Sequence, residues 1–343
     1  MPEFYYEDFV PGSILEFGDA RAITKDEIIR FAEVYDPQPF HLDEEAAKKS
    51  MLGALCASGW HIGCLAMRLN YDHWISRTAS MGAPGIDEMR WERPLLPGDI
   101  LSGRRKVVHK RVSRTRPEMG LVAIEFDLLN QRGETIARQK HTQLIELRHP
   151  GKTSGEEGAA PPPAPHPSHA IPRVEASGRQ KPFAGWLEDL QVGSYLELGT
   201  ETFTKDSIVG FASLYDPQRF HLDEEEAKNS LFGRLSASGW QTASLWMRNV
   251  VRTRDRVQRD LRAQGVETPQ GGPSPGFVHL RWPKPVFVGD RVTYYTQIIE
   301  KRPTTRPGWG LVFNHNTGVN QNGELVYEFR GSGFIRTRAG GKG

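Results

Sequence analysis

The sequence predicts an α+β protein built from two copies of one domain, each a curved antiparallel sheet wrapped around a central helix. Three observations carry this expectation. The stretch "YDPQPFHLDEEAAKKSMLGALCASGW" from Tyr35 returns as "YDPQRFHLDEEEAKNSLFGRLSASGW" from Tyr215. From Phe31 to Trp60 against Phe211 to Trp240, roughly two-thirds of positions are identical, at a constant offset of 180. A period that long marks duplicated domains, not a solenoid. Second, the segment between the copies is rich in proline, alanine, glycine and serine and has almost nothing to bury. It reads as a disordered linker. Third, both copies spell the same order of elements. The 343 residues divide into a domain over 1–148, a linker over 149–182 and a second domain over 183–343.

The elements follow in order. A short strand opens each copy, "SILEFGDA" and "SYLELGTE". A helix comes next, started by Thr24 with Glu27 as a capping box and carrying an apolar stripe of Ile28, Phe31, Ala32 and Tyr35. The second copy keeps Thr204 but has Ser207 for the glutamate. Asp36-Pro37 and Asp216-Pro217 end these helices, because a residue before proline avoids helical geometry. Asp43 and Asp223 can cap a short polar helix. From Gly59 and Gly239 run helices apolar on most faces, which predicts that other structure surrounds them.

Four strands complete each copy, near Ile86–Arg93, Ile100–Val112, Leu121–Leu129 and Thr135–Leu147, with counterparts at Phe277–Trp282, Arg291–Lys301, Leu311–Asn320 and Glu324–Arg336. Pro-Gly-Asp, Arg-Pro and Asn-Gln-x-Gly turns between them suit hairpins. A longer insert, near Val250 to Pro275, belongs only to the second copy. Its arginine-rich pattern predicts a helix, either solvated and covering the neighbouring half or facing a phosphate.

Composition narrows the partners. A quarter of the residues are charged but the formal net charge is only +2, which argues for neither nucleic acid nor an acidic membrane surface. No apolar run reaches the roughly 18 residues of a membrane span, and the N-terminus has no basic-then-apolar pattern. A soluble, cytoplasmic protein is expected. Cys56 and Cys64 lie in an apolar run and read as small core residues. His41-x-Asp43 has no third ligand beside it, so no metal is expected.

Asp36 and His41 are five apart, as are Asp216 and His221. The prolines and bulky Phe40 or Phe220 between them force an irregular loop, which can point both side chains at one spot. A carboxylate and an imidazole aimed at one water can activate it and return a proton.

With these residues in view, the sequence resembles the MaoC-like, R-specific enoyl-CoA hydratases, proteins of the hot-dog fold. "DPQPFHLD" and "DPQRFHLD" match the family's acid-to-histidine signature, with Gln38 where an asparagine is usual and Arg219 where the first copy has Pro39. Gly59 and Gly239 lie 18 residues after His41 and His221, at the family's spacing, while Ser58 and Ser238 replace the usual histidine. The resemblance covers both copies and implies a tandem hot-dog hydratase or dehydratase. Asp36, His41, Asp216 and His221 would be catalytic. The backbone N–H of Gly59 and Gly239 would stabilise the thioester oxyanion. Ser58 and Ser238 would contact substrate. Arg116-Pro117 and Arg306-Pro307 recur on a strand turn, where the arginines read either as parts of a structural turn or as contacts to coenzyme A phosphates. Coenzyme A would enter only as part of an acyl-CoA substrate, with no separate cofactor. The duplication implies a pseudo-dimer within one chain, its further assembly into homo-oligomers being open. An acyl-CoA thioesterase and a non-catalytic acyl-CoA-binding protein are the competing readings. Arg219, the insert and the exchange of His61 for Gln241 make the copies unequal, so the N-terminal pair is expected to carry most of the turnover.

Overall fold

The computed structural model describes residues 1–151, 156–158, 178–179, 185–269 and 271–338. The first half begins with strand β1 (Ile14–Ala22) and helix α1 (Lys25–Tyr35). The Thr24–Glu27 capping box is formed: Glu27 N–H donates to Thr24 Oγ1 (3.2 Å) and Thr24 N–H to Glu27 Oε2 (2.9 Å). Two short helices, α2 (Pro39–Leu42) and α3 (Glu44–Lys48), carry the chain to the central helix α4 (Gly59–His73). Asp43 caps α3 by accepting from Ala46 N–H. Strands β2 (Ser80–Gly82), β3 (Gly85–Trp91), β4 (Ile100–Val112), β5 (Met119–Leu129) and β6 (Thr135–Glu146) follow.

The second half repeats the plan: β9 (Ser194–Thr202), α5 (Lys205–Tyr215), α6 (Arg219–Leu222), α7 (Glu224–Lys228), the central helix α8 (Gly239–Ala263), then β10 (Gly276–Arg281), β11 (Arg291–Pro303), β12 (Trp309–Val319) and β13 (Leu325–Arg336). Ser207 takes over the role of Glu27: its hydroxyl accepts from Thr204 N–H and its N–H donates to Thr204 Oγ1, both at 3.1 Å.

All the strands join one sheet, whose order through the two halves is β1-β4-β5-β6-β3-β10-β13-β12-β11-β9. The halves meet at β3 and β10, which pair antiparallel from Gly85 opposite Arg281 to Arg90 opposite Gly276. Each half-sheet thus covers with its partner the edge it would leave open alone. The central helices lie against this sheet, and one apolar cluster runs through both halves. Trp60 of α4 stacks on Phe277 of β10 at 5.1 Å and meets Phe329 of β13 edge-on at 5.6 Å. Phe31 of α1 meets Tyr215 of α5 at 5.7 Å. Cys56 and Cys64 are buried thiols, as read.

The insert is helical but is no separate element. It prolongs the central helix of the second half, so α8 has 25 residues where α4 has 15. Thr253, the last residue before the added turns, is buried and donates to the Leu198 carbonyl. Most of 149–182 lies outside the described residues. Two described pieces are short strands: β7 (Glu156–Gly158) pairs with β4, and β8 (Gly178–Arg179) pairs with β9. Among the described residues no helix is long and apolar enough to cross a membrane.

Candidate active sites

Asp36 ends α1, with φ −148° and ψ 65°, because Pro37 denies it helical geometry. Its carboxylate is buried and held from two sides. Gln38 Nε2 donates to Oδ1 (3.0 Å), and Ser58 Oγ donates to Oδ2 (2.6 Å). His41, on α2, stands with Nε2 3.6 Å from Asp36 Oδ2. Its Nδ1 lies 2.7 Å from the Cys56 carbonyl oxygen. A carbonyl can only accept, so Nδ1 carries the proton and the neutral ring presents the lone pair of Nε2 beside the carboxylate. Burial holds the His41 ring below the usual histidine range, against the pull of Asp36.

The second copy rebuilds this shell. Asp216 has the same backbone angles. Gln218 and Ser238 donate to it at 3.0 and 2.6 Å, and His221 places Nε2 3.5 Å from Oδ2 with Nδ1 2.7 Å from the Ser236 carbonyl oxygen. The expected difference between the loops is therefore absent. Arg219 serves as the first residue of α6 as Pro39 serves α2, and its exposed side chain turns to Glu226 at 3.7 Å, away from the acid–histidine pair. The His61 exchange also falls outside both sites. His61 stacks on Phe31 at 4.4 Å, and Gln241 donates to the Ser207 carbonyl.

Ser58 and Ser238 are corrected from substrate contacts to supports of the carboxylate. Each is buried, caps the central helix by accepting from Trp60 or Trp240 N–H, and spends its own proton on Asp36 or Asp216. Gly59 and Gly239 follow them as the first helical residues, whose N–H groups have no intrahelical acceptor. Both face the cavities described next. A side chain there would collide with an indole: a Cβ on Gly59 would lie 2.5 Å from Trp91, and Trp282 sits likewise on Gly239.

Two cavities of about 450 and 460 Å³ hold the pairs. Each is walled by both halves. The first joins Asp36, His41 and Gly59 to Phe277, Phe329 and Arg306; the second joins Asp216, His221 and Gly239 to Gln139, His141 and Arg116. Each candidate arginine, exposed on a hairpin turn, thus lies at the cavity of the opposite half's pair. Among the described residues no cluster of three or more His, Cys, Asp or Glu side chains is placed to hold a metal ion.

Sequence reasoning missed Arg254. It lies on the added turns of α8 and donates to Gln38 Oε1 (3.0 Å), so the second half braces the first half's carboxylate. At the matching place Ser80 donates to Gln218 Oε1 (3.1 Å). The arginine-rich insert was visible, but nothing in a lone sequence said which of its arginines turns inward.

Buried histidines make the fold acid-sensitive. Burial holds His61 at about 3 and His141 at about 4. Unfolded, both titrate near 6.5. The unfolded chain then binds more protons than the folded one below pH 6.5, and stability falls as pH drops toward 4. A loss on the order of 3 kcal/mol is expected between pH 7 and 5. Denaturant midpoints at the two pH values check this, and equal midpoints would refute neutral buried rings.

Comparison with known proteins agrees with the geometry. The model of the MaoC like domain matches residues 8–125 and 192–317, together more than half of the chain. A mesaconyl-CoA hydratase of Haloarcula hispanica is 25% identical over 263 residues, 74% of this chain and 68% of its own. Among solved structures, a MaoC domain protein from Chloroflexus aurantiacus J-10-fl superposes with a TM-score of 0.76 at 17% identity, over 98% of both chains. Rv0216 of Mycobacterium tuberculosis, which has a double hotdog fold, superposes at 0.66 with 14% identity, over 96% of this chain and 97% of its own. Two matched segments, each with its own acid–histidine pair and central helix, leave one conclusion: the chain belongs to the MaoC-like dehydratase family, as a double hot-dog in which two copies of the family's domain form a pseudo-dimer.

Proposed function

We propose that the protein adds water to 2-enoyl-CoA thioesters, or removes it from (R)-3-hydroxyacyl-CoA, using no metal or separate cofactor. The observation that carries this reading is the pairing, built twice, of a histidine Nε2 with a fixed carboxylate inside a cavity that the first residue of the central helix also lines. Water held between Asp36 and His41 would attack C3 and give one proton to the pair. Charge would collect on the thioester oxygen, where Gly59 N–H at the positive end of α4 would stabilise it. The pair would then return a proton to C2, so that one water is added and the pair is restored. Proton gain and loss belong to the two groups jointly. Arg306 and Arg116, exposed at the cavities, would meet the phosphates of coenzyme A. The mesaconyl-CoA hydratase relative supports this reaction class.

A panel of enoyl-CoAs tests the proposal by loss of the conjugated-thioester absorbance, with a thiol reagent present. Hydration without thiol release is expected. Thiol release without hydration would replace the reading with a thioesterase, and binding without either reaction would make the chain an acyl-CoA-binding protein.

A further inference from the structure

The catalytic shells match, but the walls facing them do not. Strand β6 turns Gln139, His141 and Gln143 inward, all three buried and all lining the C-terminal cavity. The repeat places Phe329, Gly331 and Gly333 of β13 at the same positions of the N-terminal cavity. Polar and aromatic or empty positions thus face two equivalent acid–histidine pairs.

The polar row is connected. Gln143 Nε2 donates to Ser80 Oγ (2.8 Å) and to the Gly82 carbonyl (3.0 Å). Ser80 Oγ donates to Gln218, which holds Asp216. Gln139 Nε2 lies 3.0 Å from His141 Nδ1. An amide nitrogen only donates, so Nδ1 accepts and the His141 proton sits on Nε2. That Nε2–H has no protein partner among the described residues, on a side chain only 6% exposed that lines the cavity. A donor that reaches the cavity without a protein partner is left for water or a ligand to satisfy. Burial keeps the ring neutral, so it acts as a hydrogen-bond donor. In the N-terminal cavity Gly331 stands in place of His141, and the Asn316 amide Nδ2 reaches over it, 3.0 Å from where a Cβ would lie. Asn316 and Asn314 belong to the neighbouring strand β12, and Asn314 Nδ2 is buried with no partner among the described residues, so this cavity also carries amide donors.

Resting on the hydratase reading, we infer that the C-terminal site selects an acyl group carrying an oxygen acceptor, which His141 Nε2–H binds. The acceptor can be a hydroxyl or a carboxylate oxygen, and the test separates them.

In a chain carrying Asp36→Asn and His41→Gln, only the C-terminal site works. Its kcat/KM is expected to favour 4-hydroxycrotonyl-CoA or fumaryl-CoA over crotonyl-CoA. Preference for the first shows a hydroxyl site, and preference for the second alone a carboxylate site. Adding His141→Leu is expected to cut the preference about tenfold or more, and His141→Gln, which keeps a donor, to recover part of it. Equal kcat/KM for all three thioesters, or a preference that His141→Leu leaves intact, overturns the inference. Calorimetry with butyryl-CoA and 4-hydroxybutyryl-CoA or succinyl-CoA reads the same contrast without turnover, on folded variants. A chain that hydrates no enoyl thioester yet loses affinity for an oxygenated thioester on His141→Leu refutes the hydratase reading and supports the subsite. A chain that hydrates enoyl thioesters with no such contrast refutes the subsite alone.

Discussion

Asp36→Asn and Asp216→Asn together are expected to slow enoyl thioester hydration by at least a hundredfold, within the range of about 10²–10⁴ that a general acid–base group supplies. Asparagine keeps the size of the side chain but offers one acceptor oxygen instead of two. Ser58 and Gln38 already donate to different oxygens of Asp36, so the amide cannot satisfy both and still attract the water proton. Each single variant should retain activity, because the two shells agree within 0.1 Å in the histidine–carboxylate spacing and match in the glutamine and serine bonds to the carboxylate and the carbonyl bond to the histidine. For a thioester that both cavities accept, about half of the rate should survive in each. A double variant with near-native turnover would remove the carboxylates from the mechanism. Loss confined to one single variant would show that only one of the two matched pairs works, and would restore the asymmetry first expected from Arg219.

The contrast between that expectation and the structure shows where a lone sequence is informative. The repeat gave two domains, and caps and Pro-bounded helices gave element order, because these are local rules that adjacent residues satisfy. Asp36 and His41 could be paired on paper because five residues of chain confine them. Ser58 could not be placed in the same way. It is 22 positions from Asp36, and its bond to that carboxylate exists only once α4 crosses the end of α1. Arg254 is 216 positions from Gln38. The Gln139, His141 and Gln143 row was equally hidden. The run "RQKHTQ" is polar at every position, so no alternation reveals which side faces inward. Arg219 makes the copies unequal in sequence but not in the shell around the carboxylate, because its exposed side chain turns to Glu226.

Gly276→Ala is expected to destabilise the protein by roughly 3–5 kcal/mol, from backbone strain and overpacking together. Gly276 has φ +145°, a conformation that side chains rarely adopt, and a Cβ there would overlap the Met89 carbonyl oxygen of the opposing strand. Gly85, at the other end of the same strand pair, would meet the Leu280 carbonyl in the same way. These glycines allow β3 and β10 to approach, and that pairing joins the two half-sheets. Relief of the overlap must push the strands apart. Phe277 and Gly276 wall the N-terminal cavity and Ile86 the C-terminal one, so both sites should weaken with the junction. Gly133→Ala is the control: Gly133 has φ +72° but open space around it, and should cost only about 1–2 kcal/mol. Chemical denaturation of the two variants separates strain at the junction from the ordinary cost of a left-handed alanine. A second reading comes from chains cut within 159–177. The native fragments should co-elute on a sizing column at micromolar concentration, held by the β3–β10 pair and the shared aromatic core, and the Gly276→Ala fragments should come apart. Equal stability of the two variants, with fragments that stay together in both, would mean that the junction yields without cost and that the core alone unites the halves.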